Sequence, residues 1–209
     1  GSYMLSIQGA IKGEKLNISL KTNQQNHGDL VGAVITVAHL GNSTEYVWEG
    51  YEITVDVPPY LDYTVSFSEV SCYAAPETFA LTSVEGNVRT ITGVYNTEVV
   101  NVDVTADNGE FMNGQVVTIN GVEYIYAGNA ITVKIPYGTA YSVSVSDKED
   151  YIVPAKQDFT ASQAERNIEL QFIYNPPKDL SFYDIYDNPI SQNTANCYVV
   201  SEARKYKFP

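Results

Sequence analysis

An internal repeat constrains this chain more than any other feature. Residues 46–76 read YVWEGYEITVDVPPYLDYTVSFSEVSCYAAP, and residues 124–154 read YIYAGNAITVKIPYGTAYSVSVSDKEDYIVP. Twelve of these 31 positions are identical, including Gly50/Gly128, Pro58/Pro136, Tyr63/Tyr141, Tyr73/Tyr151 and Pro76/Pro154. Chance similarity between two apolar stretches would not keep Gly, Pro and Tyr in one register, so the chain reads as a duplicated unit.

Each shared element has a local cause. Ile53–Val57 and Ile131–Ile135 alternate apolar and polar residues, the signature of a half-buried strand. Pro58 and Pro136 end those strands, because proline cannot donate to a central ladder. Tyr63–Phe67 and Tyr141–Val145 alternate again, so each pair of strands is expected to form an antiparallel hairpin. Closing strands are expected at 89–95 and 167–174. Upstream, three more strands are expected in each unit: 15–21, 33–40 and 45–48, then 99–105, 115–120 and 122–126. Asn120-Gly121 is a strong two-residue hairpin turn, and Gly41-Asn42-Ser43 is its looser counterpart. The only helical signal is a single turn at 161–166.

Six or seven short strands per unit, with regular turn residues, predict an all-β chain. The expected architecture is two tandem immunoglobulin- or prealbumin-like β-sandwich domains plus the start of a further module. Residues 1–4 read as a cloning scar, 5–96 as repeat one and 97–175 as repeat two. Residues 176–209 read as a linker and the opening strands of a truncated third module, in a fragment of a larger protein. The composition agrees. Of 209 residues, 44% are hydrophobic and 17 are Tyr, a residue suited to half-exposed sheet faces.

The net charge of −13 repels phosphate backbones and anionic lipid. No nucleic-acid partner and no direct membrane insertion are expected, and the chain is expected to be a monomer. Cys72 and Cys197 are too few for a disulfide framework and lack the spacing of a zinc site. One long-range bridge between them is a minor alternative.

The run Tyr63–Tyr95 resembles repeat units of the PEGA-like or prealbumin-like sort. TANCYVVSEARKYKFP, residues 194–209, resembles the opening of a further module in fimbrillin-like adhesins of gut Bacteroidota. This resemblance implies cell-surface display, modular β-domains, no enzymatic activity and no cofactor. It implies a role as stalk or adhesion repeats, with an unidentified surface glycan or protein as partner. The alternative is a carbohydrate-binding accessory module of a glycan-capture or polysaccharide-degrading protein.

Candidate chemistry is sparse, and no catalytic or metal residues are assigned. His27 and His39 have no spaced partners, and no nucleophile motif is present. Asp147, Glu149 and Asp150 crowd one turn, and Asp103, Asp107 and Glu110 have the flavour of a calcium loop without its spacing. Lys15 and Asn96 are a weak candidate pair for an isopeptide crosslink. Trp48 and Tyr60, with Tyr46 and Tyr51, are weak candidates for a sugar-stacking platform, although Trp48 recurs as Tyr126 and so fits a core position better.

Overall fold

A computed structural model describes residues 11–25 and 27–176, and the backbone of 182–183, 198–201 and 204–207. The chain is all-β, in two tandem sandwiches. Among the described residues the only helical element is a 3-10 turn at His27–Leu30.

Unit one contains β1 (Glu14–Thr22), β2 (Val34–His39), β3 (Asn42–Val47), β4 (Ile53–Val57), β5 (Asp62–Phe67), β6 (Phe79–Thr82) and β7 (Val88–Tyr95). One sheet has the order β4-β1-β7 and the other β3-β2-β5-β6. Unit two contains β8 (Thr97–Ala106), β9 (Val116–Ile119), β10 (Val122–Ile125), β11 (Ile131–Pro136), β12 (Ala140–Val145), β13 (Tyr151–Ile152), β14 (Gln157–Thr160) and β15 (Glu165–Tyr174). Its sheets run β11-β8-β15-β13 and β10-β9-β12-β14. The order of unit one is thus reproduced strand for strand, with β13 added at one edge. Beyond unit two, β16 (Phe182–Tyr183), β17 (Tyr198–Ser201) and β18 (Arg204–Lys207) form a small antiparallel sheet.

The first and last strands of each unit pair in parallel, Leu16 with Arg89 and Val100 with Arg166. Only Asn96 separates β7 from β8, so one unit runs into the next without a flexible linker.

The expected hairpins between 53–57 and 63–67, and between their counterparts, do not form. β4 pairs with β1, whereas β5 pairs with β2 and β6, so the Pro58-Pro59 turn carries the chain from one sheet to the other. Alternation shows that a strand has one buried face, but it does not name the neighbour. The turn between β2 and β3 is also tighter than expected. Leu40 and Gly41 have φ of 49° and 76°, matching 50° and 78° at Asn120 and Gly121. Residues 161–166 form no helix; Glu165 and Arg166 open β15.

The alternating apolar positions build one core per unit. Leu16, Ile18, Ile35, Val65, Ile91 and Tyr95 are central in unit one, and Val100, Val102, Val117, Val143, Leu170 and Phe172 in unit two. The two copies distribute volume differently. In unit one Gly93 faces Phe67, and a Cβ on Gly93 would lie 2.8 Å from the Phe67 ring. The corresponding positions in unit two hold Leu170 and Val145, so bulk has moved from one sheet to the other at similar total volume.

Candidate functional site: a repeated buried ion pair and the seam between units

The most unusual chemistry inside each sandwich is a fully buried glutamate on its first strand. Glu14 and Glu98 occupy the phase of their strands that otherwise holds apolar core residues. Burying a carboxylate is costly unless it is paired and hydrogen-bonded, and both are. Glu14 accepts from Arg89 Nε at 2.5 Å, from the Val84 amide at 2.6 Å and from Asn87 Nδ2 at 3.2 Å. Glu98 accepts from Arg166 Nε at 2.6 Å, from the Ser162 and Gln163 amides at 2.9 and 3.1 Å, and from the Tyr141 hydroxyl at 2.6 Å. Burial pushes the Glu98 carboxyl upward, but the Arg166 and Tyr141 hydrogen bonds outweigh it and hold the group down at about 2. Glu14 is lowered on the same balance, with Arg89 the main opponent of burial.

The copies differ at the tyrosine. Tyr63 sits where Tyr141 sits, yet its buried hydroxyl gives Glu14 no hydrogen bond and has only Arg89 as a polar neighbour. Burial, then the Glu14 charge, raises its pKa. The Tyr141 pKa is raised by burial and by donation to Glu98. Around Arg166 unit two is also better filled. Phe159, which stands where unit one has Leu81, packs against Tyr141 and lies 4.5 Å beneath the guanidinium.

The second cluster lies at the seam. Asn23 Nδ2 donates to the Thr97 carbonyl at 2.8 Å, and its Oδ1 accepts from the Thr97 amide at 3.0 Å. Asn23 also reaches the Tyr137 hydroxyl at 3.2 Å, and Gln24 Nε2 donates to the Ala164 carbonyl at 2.7 Å. Lys134, from β11 of unit two, also reaches onto Asp29 and Tyr73 of unit one. Its ammonium donates to Asp29 Oδ2 at 2.5 Å and to the Tyr73 hydroxyl at 2.9 Å, and Tyr73 donates to Asp29 at 2.7 Å. The Lys134 hydrogen bond, then that of Tyr73, holds the Asp29 carboxyl below its usual range, and Asp29 raises Lys134.

Unit two carries the same triad at its far end. Tyr151 matches Tyr73 and donates to Glu110 at 2.5 Å. Here the ammonium comes from the unit's own loop: Lys148 lies 3.0 Å from Glu110 and 5.4 Å from the Tyr151 ring centre.

The residues singled out in the sequence fall elsewhere. Trp48 is 3% exposed and belongs to the core, so it cannot offer its ring to a sugar. That corrects its candidacy as a stacking residue; its place is set by the apolar contacts of the sandwich interior. Tyr60 is 67% exposed, with its hydroxyl donating to Glu85 at 2.5 Å, and Tyr51 is exposed too. The two therefore do not share a platform with Trp48. Lys15 pairs with Val88 at the start of β7, whereas Asn96 follows the end of that strand, about 25 Å away at strand rise. A crosslink between them is ruled out by that separation. His27 Nδ1 accepts from the Thr22 amide at 3.3 Å. Asp103 accepts from the Tyr126 hydroxyl, and Asp107 from the Tyr174 amide at 2.8 Å. Among the described residues no group of three or more His, Cys, Asp or Glu is gathered to hold a metal. Cys72 is exposed and unbridged, and Cys197 lies outside the described residues.

Sequence reasoning missed Glu14 and Glu98. The signal was present: Glu14-x-Leu16-x-Ile18 and Glu98-x-Val100-x-Val102 put a charge in phase with the apolar face, as do Arg89-x-Ile91 and Arg166-x-Ile168.

No protein-family model matches the chain, and no curated protein is significantly similar to it. Among solved structures, it is similar to the Bacillus anthracis TIE protein at 13% identity and a TM-score of 0.39, covering 95% of this chain and 43% of that one. It is similar to the minor pilin of the Gram-positive pathogen Streptococcus agalactiae at 9% identity and a TM-score of 0.40, covering 79% and 98%. It is also similar to the shaft pilin of Lactobacillus rhamnosus GG at 11% identity and a TM-score of 0.40, covering 81% and 100%. The chain thus spans less than half the length of the first of these.

Proposed function

We propose that this chain is a non-catalytic spacer of a cell-surface protein: repeats 5–96 and 97–175 of one sandwich, with 176–209 opening a further module. The carrying observation is the seam. Two units joined by one residue and clasped through Asn23, Gln24 and the Asp29–Tyr73–Lys134 triad hold a fixed relation to each other. Fixed spacing is what a repeat stalk contributes to whatever it carries. Asp103, Asp107 and Glu110 are spent on internal bonds, which suits a scaffold. The resemblance to fimbrillin-like proteins adds surface display and an adhesive parent to this reading.

The test is NMR relaxation on the full chain. Both units should tumble with one correlation time, and Lys134→Met combined with Asn23→Ala should let them separate. Independent tumbling of the unmodified units would defeat the spacer reading. The carbohydrate-binding alternative leans on exposed Tyr51 and Tyr60. Retention on a glycan gel, lost in Tyr60→Ala, would favour it instead.

A further inference from the structure

The two units end alike, but among the described residues only one end is covered. Asn23 Oδ1 accepts the Thr97 amide as the chain leaves unit one, and Asp107 Oδ1 accepts the Tyr174 amide as it leaves unit two. Thr97, the first residue of unit two, is fully buried, with its backbone held by Asn23 of unit one and its Oγ1 donating to the Ile135 carbonyl at 3.1 Å. At the matching end of unit two, apolar groups stand in water: Phe111 is 86% exposed and Ile152 52%, with Ile173 and Tyr174 also partly bare. Ile152 and Ile173 are cross-strand partners, where unit one has the Ala74–Asn96 bridge. Among the described residues, Asp107, Glu110, Asp147, Glu149 and Asp150 form an acidic rim around them, with Lys148 paired to Glu110.

We propose that this end of unit two seats the module that follows it in the chain, residues 177–209, with basic strand β18 facing the acidic rim. Three features choose that occupant. The chain leaves unit two at this end, as it leaves unit one at the covered end. Only seven steps separate Asn175 from β16 at Phe182, a reach of roughly 25 Å, so the module is held at high local concentration beside the patch. And β18 carries Arg204, Lys205 and Lys207, a quarter of the chain's twelve Lys and Arg. Opposite charge steers the two surfaces together, and the exposed Phe111 and Ile152 supply apolar area to bury. The inference stands on the geometry of the seam and does not depend on the spacer reading.

Hydrogen exchange on the full chain tests it, comparing the unmodified protein with Lys205→Glu/Lys207→Glu. Amides at 107–111, 150–152 and 173–174 should exchange about ten-fold faster in the variant, two exposed pairs each contributing a few-fold. Core amides at 102–104 report that unit two remains folded. Carbodiimide crosslinks from Lys205 or Lys207 to rim carboxylates should form in the unmodified chain alone. Equal exchange in both proteins without such crosslinks would overturn the proposal. So would protection that appears only at concentrations where light scattering shows a dimer, because a second copy would then be the cover.

Discussion

Unit one and unit two solve the same burial problem with different degrees of completion. In unit two the carboxylate has a tyrosine donor, two backbone donors and an arginine stacked on Phe159. In unit one the tyrosine at the same position donates to nothing, and a leucine replaces the phenylalanine. At the ends the contrast reverses. Unit one borrows its lysine from its neighbour, whereas unit two closes its triad with its own Lys148. A duplicated fold therefore keeps the costly buried charge in both copies and lets the supporting shell diverge. The carboxylate cannot be left without partners, but how many it has can vary.

The comparison can be broken hardest at the arginines. Arg166→Met and Arg89→Met each leave a carboxylate buried without its counter-charge, at a cost of about 3–5 kcal/mol in denaturant unfolding. Unit two should suffer the larger loss, since more of its shell is organised around the pair. Equal effects near zero would mean that the pairs are solvated.

Acid should act next. The folded Glu98 carboxyl is held at about 2, against an ordinary 4.5. Its contribution is therefore complete above the unfolded value and is lost as pH falls from about 4.5 toward 2. That loss is on the order of 3 kcal/mol, with Glu14 adding in the same direction. Calorimetry between pH 5 and 2 should show a steep fall in Tm, and Glu98→Gln should flatten it.

The tyrosines sharpen the contrast. Tyr141→Phe removes a donor to a charged acceptor and should cost roughly 1.5–3 kcal/mol, whereas Tyr63→Phe removes a hydroxyl that gives Glu14 no hydrogen bond and should cost less. A matched loss at Tyr63 would show that the two shells are equivalent. The smallest effect belongs to the β2–β3 turn. Leu40 holds a left-handed conformation that Asn120 holds in unit two. Leu40→Asn should gain about 0.5–1 kcal/mol, and Asn120→Leu should lose a similar amount.

Strands and the repeat were legible because alternation and the Gly, Pro and Tyr register are local properties of the chain. Pairing was less so. Nothing in Ile53–Val57 or Tyr63–Phe67 says that they belong to different sheets, since that depends on which neighbour covers each face. The buried glutamates escaped for a related reason. A glutamate at the opening of a strand usually meets water, and only its phase with Leu16 or Val100 marks it as internal. The two also lie 84 residues apart, outside the stretch matched at an offset of 78. Trp48 was legible as core once its recurrence as Tyr126 was weighed. The seam was not, because Lys134 has Asp56 as its counterpart, so the repeat gives no hint that this position reaches across to Asp29.

The parallel pairing of first and last strands has a mechanical meaning. The chain enters each unit at the start of its first strand and leaves at the far end of its last, and the two lie side by side through eight paired residues in both units. A pull on the chain's ends is directed along those strands. It slides one past the other and loads the whole ladder at once, where a hairpin would unzip one bond at a time. Because β7 continues into β8, tension entering one ladder passes directly to the next, and the two sandwiches resist extension as clamps in series.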